Sequence, residues 1–219
     1  MDVLNSAGIT PFHTFDPMQG SASELADMLD SIREGGEDEL SSLGSTHPLP
    51  ATKLEAEGID LAKGRDGIEW DDATILFIAL RATDEDGGPA EPLDRGISME
   101  RLGRFPTSDG NAIAYLREYM IPESEGDLSS RLLTQLDVGL QEEMRGNDEL
   151  SKGFGGLNLH GWLTPDEVGM LRNHLQKSAW KVSNHEPFDG GIRDVVRHLL
   201  IILKTAEKRG VGILMRSHD

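Results

Sequence analysis

With no cysteine among its 219 residues, this chain must draw any covalent or metal chemistry from His, Asp, Glu, Ser, Thr or Lys. Disulfides, thiolate metal sites and a cysteine nucleophile are excluded. Seven histidines are present: His13, His47, His160, His174, His185, His198 and His218. None stands in a His-Glu-x-x-His pair, the spacing that puts two imidazoles on one helical face toward a zinc ion. His185-Glu186-Pro187-Phe188-Asp189 begins like that motif, but Pro187 breaks a helix and no second His follows. The expectation is no metal and no cofactor.

Nucleophile and phosphate motifs are equally absent. Gly153-Phe154-Gly155-Gly156 lacks the Lys-Ser/Thr of a phosphate loop, and there is no Gly-x-Ser-x-Gly turn. Carboxylates adjoin at Asp71-Asp72 and Glu142-Glu143, which 39 acids produce by number alone. No nucleophile, base and orienting group stand together in the sequence, so a non-enzymatic binding or regulatory protein is the first expectation. A hydrolase or metal-dependent enzyme built from His and carboxylates by folding is the alternative, and a structural subunit of a homo-oligomer is a third.

The binding residues assigned from sequence are five. His160 and His185 are the pair that folding would have to bring together with carboxylates to make an acid–base site. Trp162 sits beside the best helix start of the chain. Arg193 and Arg197 belong to a basic stripe, with Lys204 and Lys208, on one side of the last helix. That stripe reads as a solvated face or as a surface that docks on the chain's own acidic half; the other reading is an anionic partner.

The net charge of −18 sets the balance between those readings. Residues 1–60 carry 2 basic and 12 acidic side chains, residues 61–150 carry 9 and 20, and residues 151–219 carry 10 and 7. An acidic surface repels phosphate, so nucleic acid is an unfavoured partner, and protein or self-association is preferred. The longest apolar runs, Ala73 to Leu80 and Leu199 to Leu203, fall far short of the ~18 residues of a membrane span. The opening residues lack the basic and apolar regions of a signal peptide, which gives a cytoplasmic location as the default.

Helices dominate the pattern that must position these residues. Ser21-Ala22-Ser23-Glu24 has capping-box spacing and starts a helix with Leu25, Met28, Leu29 and Ile32 inward, ended by Gly35-Gly36. A loop with a short helix near Asp38 to Leu43 follows. Asp71-Asp72 precede an apolar run, Ala73 to Ala82, that reads as helix or buried strand, with helix preferred. A helix is predicted over 111–120, and Leu128, Leu132, Leu136, Leu140 and Met144 predict one long helix over 127–145. Leu157-Asn158-Leu159 is a short strand candidate. Thr164-Pro165-Asp166-Glu167 combines an N-cap, Pro at the first helical position and a capping-box Glu. A last helix runs over 191–209, stopped by Gly210, before a closing strand over 211–215.

Trp162-Leu163-Thr164-Pro165-Asp166-Glu167-Val168 with Leu171 and Leu175, then Leu200 to Leu203, Ala206-Glu207-Lys208-Arg209-Gly210 and Val211 to Leu214, resembles the C-terminal part of YfbM-like proteins. Ile59 to Trp70 is similar to the segment upstream there, although about ninety residues separate the two. The resemblance implies a small α+β fold without an assigned activity. Ser42 to Pro50 resembles a segment of zinc-dependent peptidases of the HtpX type but lacks their zinc helix, so it implies no peptidase. The chain is therefore expected to be α+β and mainly helical, with a small sheet that includes a C-terminal strand. Residues 1–50 are expected to form an irregular acidic arm with one helix, packed on a main domain over 51–219.

Overall fold

Strands form here from short runs buried on both faces, and helices where a cap meets an apolar stripe. A computed structural model describes residues 11–123, 126–177 and 180–218. Four strands make the main sheet: β1 (Phe12–Met18), β3 (Lys152–Gly153), β4 (Leu157–Leu163) and β6 (Gly212–His218). They lie in the antiparallel order β1-β6-β4-β3, with β6 in the middle. A separate ribbon pairs β2 (Met120–Pro122) with β5 (Trp180–Val182). At 54% helix and 16% strand the protein is α+β and mainly helical, with the C-terminal strand in its sheet.

Alternation along the strands divides the core in two. Phe15, Leu163, Ile213 and Met215 point to one face and join α6 (Ala112–Tyr119), α7 (Leu128–Val138), α9 (Pro165–Gln176) and α10 (Gly191–Arg209). Met18, Leu157, Leu159, Trp162 and Leu214 point to the other and meet α1 (Ala22–Arg33), α3 (Pro48–Ala56) and α4 (Asp72–Leu80). Both faces of the sheet are thus covered by helices, so each strand carries apolar residues on both sides, and a simple in/out pattern was not visible in the sequence.

Local chemistry sets the helix starts. The Ser21 hydroxyl accepts from the Glu24 N–H at the head of α1, Asp71 caps α4, and Asn111 caps α6 by accepting from Ile113 and Ala114. Thr164 and Glu167 form the reciprocal capping box of α9, with Pro165 at its first position. The run over 73–82 is helical as far as Leu80, as preferred; Arg81 and Ala82 turn out of the helix and bond alongside β1.

Three expectations need correction. The stretch from Phe12 to Met18, read as part of an irregular arm, is β1, because β6 offers it a seven-residue register from Phe12 opposite His218 to Met18 opposite Gly212. Residues 1–10 of that arm lie outside the described residues. The long helix over 127–145 is two, α7 and α8 (Glu142–Arg145), because Leu140 turns its N–H away from the helical ladder to the His160 carbonyl at 2.8 Å. The closing strand runs on to His218, which brings Ser217 into the sheet. Three further helices, α2 (Leu43–Thr46), α3 and α5 (Ile97–Gly103), were not expected; α3 starts at Pro48, inside the stretch read as a loop, because proline suits the first helical turn.

Candidate functional site

Pairing in the sheet places three polar side chains in one row. Ser217 on β6 lies opposite His13 of β1 on one side and Asn158 of β4 on the other. The register of β4 against β6 then slips between Leu159 and Gly161, so that His160 is the extra residue of a β-bulge. The bulge keeps His160 on the face shared by His13 and Ser217, while Trp162, two residues on, points to the opposite core. In an unbroken strand the two would share a face.

His160 is held at both ring nitrogens. Nδ1 lies 3.3 Å from the backbone carbonyl of Asp137, at the end of α7, and Nε2 lies 3.0 Å from the Ser217 hydroxyl. Burial pushes the His160 pKa down to about 4, against the opposing pull of the Asp137 carbonyl, so the ring is neutral at physiological pH. A carbonyl can only accept, so Nδ1 carries the proton and Nε2 is a bare acceptor to which the Ser217 hydroxyl donates. The His13 ring packs against that of His160, with centroids 4.9 Å apart.

The surrounding wall comes from α6 and α7. The buried Asp137 carboxylate accepts from Asn111 Nδ2 at 2.6 Å and from the Arg117 guanidinium. Asn111 thereby caps its own helix and ties it to the neighbouring one. Arg117 also reaches Glu143 at 3.4 Å. Next to this wall Ser108 and Asp109 adopt left-handed backbone, with φ of 53° and 52°, in the turn before α6. Such conformations are costly for non-glycine residues and cluster at binding sites.

Together these residues line an open cleft of about 500 Å³ at one end of the sheet. Among its described lining residues Arg117 is the one lysine or arginine, set against the acids Asp109, Asp137, Glu142 and Glu143. The floor offers the Ser217 hydroxyl oxygen, whose proton is held by His160, and the Nδ2 amide of Asn158, whose oxygen accepts from Gln141. That is equipment for hydrogen bonding to a small polar molecule, and for taking a proton from Ser217.

Of the five binding residues assigned from sequence, only His160 reaches this cleft. Trp162 is buried beneath Arg145, whose guanidinium lies 5.8 Å from the ring centroid, and it borders a separate, more apolar groove with Met144. His185 is exposed on the turn after β5, and its place among the converging groups is taken by Ser217 and Asp137. Arg193 and Arg197 are exposed on α10, and Arg197 pairs with Asp194 of the same helix at 2.6 Å. Sequence reasoning missed Ser217, His13, Asn111, Asp137 and Arg117; only Asn111, at the start of a predicted helix, carried a local signal.

A second serine–histidine pair provides a contrast. Ser98 of α5 and His198 of α10 meet at 3.1 Å; they are buried, as Ser217 is, but neither lines the neighbouring cleft between these helices. There the pair joins two helices. Among the described residues no group of three or more His, Asp or Glu side chains is placed to hold a metal ion, and no helix is long and apolar enough to cross a membrane.

No family model, curated protein or solved structure matches this chain. Its functional reading therefore rests on the cleft itself.

Proposed function

We propose that the chain is a binding protein whose ligand is a small polar molecule held in the cleft above His160 and Ser217. The observation that carries this reading is the bulge at His160, which presents a neutral imidazole and a hydroxyl at the floor of an opening of about 500 Å³. Pockets of this size hold metabolite-sized ligands, with a few fixed polar groups setting orientation. The polar wall of Asn111, Arg117 and Asp137 favours a ligand rich in hydrogen-bonding groups over an apolar one.

The test is a melting experiment against a panel of amino acids, amines, sugars and nucleosides, run on the wild type and on Asn158→Leu. A ligand at a hundred times its Kd stabilises by about 2.7 kcal/mol, which for a domain of this size is roughly 5–10 °C. The expected result is a concentration-dependent rise for at least one compound class that is lost in Asn158→Leu. A panel without any hit, or a hit retained in full by the variant, contradicts the proposal.

A further inference from the structure

We infer that Ser217 is a nucleophile and His160 its general base, so that the cleft transfers the acyl group of a small carboxylic ester to water. The inference rests on the binding reading, because a substrate must enter the same cleft. Geometry carries it. A serine hydroxyl is a weak nucleophile until a base within hydrogen-bond reach can take its proton, and that base must have its far nitrogen protonated and fixed. Both conditions are met: Ser217 Oγ and His160 Nε2 are 3.0 Å apart, and Nδ1 is tied to the Asp137 carbonyl. The orienting group is a backbone carbonyl instead of a carboxylate, since the Asp137 side chain is taken up by Asn111 and Arg117.

Two further observations separate this pair from ordinary packing. It lies at a bulge, where the strand is re-aimed and the imidazole projects toward the hydroxyl. It also faces an open cleft, whereas the similar Ser98–His198 pair joins two helices without lining one.

The steps balance without a further reagent except water. Ser217 Oγ bonds to the ester carbon as its proton passes to His160 Nε2. The bond to the alcohol oxygen then breaks, and the alcohol leaves with that proton. Water attacks the acyl-serine and gives one proton to Nε2; the acyl–Oγ bond breaks, the proton returns to Oγ, and a carboxylic acid is released. The cleft of about 500 Å³ limits the ester to a small one.

Diisopropyl fluorophosphate tests this directly, because it phosphorylates activated serines, and peptide mass spectrometry locates the adduct. The wild type, Ser217→Ala and His160→Gln are compared after circular dichroism confirms that each is folded, with p-nitrophenyl acetate turnover as a second readout. The expected outcome is an adduct on Ser217 of the wild type, none at that position in Ser217→Ala, and labelling and turnover slowed at least about 100-fold in His160→Gln. Should His160→Gln fail to fold, the wild type against Ser217→Ala decides the matter. An unlabelled Ser217, labelling on Ser98 instead, or an unchanged rate in folded His160→Gln overturns the inference. Compounds that bind the cleft while Ser217 stays unlabelled sink the nucleophile and leave the binding reading standing; the absence of both binding and labelling sinks both.

Discussion

Leu140 donates its backbone N–H to the carbonyl of His160 at 2.8 Å, and this one bond joins the break after α7 to the bulge in β4. A helix that continued through Leu140 would keep that N–H for itself, and the His160 carbonyl would lose its partner. The side chain of Gln141 reinforces the junction by donating to the Leu159 carbonyl and to Asn158. Helix end and bulge therefore specify each other, and the imidazole they aim is the central feature of the cleft.

Gly161→Ala should break this junction. A Cβ at Gly161 would overlap the Gln135 carbonyl oxygen and lie 2.8 Å from that of Leu136, both backbone atoms of α7. Neither can yield without moving the helix off the sheet. The expected loss exceeds about 4 kcal/mol, measured by urea denaturation, and an unchanged midpoint would show that α7 does not pack as closely as described.

Asp94→Asn should stabilise the protein, and more so at higher pH. Burial raises the Asp94 carboxyl from 3.8 to about 6, outweighing the hydrogen bond it accepts from the Phe15 N–H at 3.2 Å. The folded state thus holds the proton more tightly than the unfolded chain, so the burdensome charge develops as pH rises from 3.8 to about 6 and is fully present above that. Asparagine keeps an acceptor for Phe15 and removes the charge. The charge-dependent part of the gain is at most about 3 kcal/mol at pH 8 and smaller at pH 5, offset at both values by the amide N–H that takes the place of the unpartnered Oδ2, so the difference between denaturation midpoints at the two values is the readout; a gain independent of pH would contradict the assignment.

Ser108→Gly should also stabilise, by roughly 1 kcal/mol, because glycine adopts the left-handed backbone of that turn without steric cost. Ser108 lines the cleft, so the same change should loosen ligand or ester binding as the turn gains freedom. A more stable protein with unaltered binding would separate the strain from the site.

Much of the fold was legible because capping is local chemistry. Thr164, Pro165 and Glu167 announced α9 within four residues, and the inward Val195, Val196, Leu199, Ile202 and Leu203 announced α10. The cleft was not legible, because its parts are joined by long-range events. Ser217 and His160 are 57 positions apart and meet only after β6 pairs with β4. Neither the bulge nor the break at Leu140 leaves a periodic trace: the leucine repeat runs straight through from Leu136 to Met144. The basic stripe of α10 is visible in sequence, but its side chains at Arg193, Lys204 and Lys208 are exposed, and Arg197 is answered by Asp194 within the helix.

The arrangement of His160 is open to direct observation by long-range ¹H–¹⁵N spectroscopy of the imidazole nitrogens, with His160→Gln to assign the signals. The expected ring is neutral, protonated at Nδ1 and bare at Nε2, and unchanged from pH 8 to pH 5.5, because burial holds its pKa down at about 4. A ring protonated at Nε2, or one that titrates near 6.5 like an exposed histidine, would contradict the account.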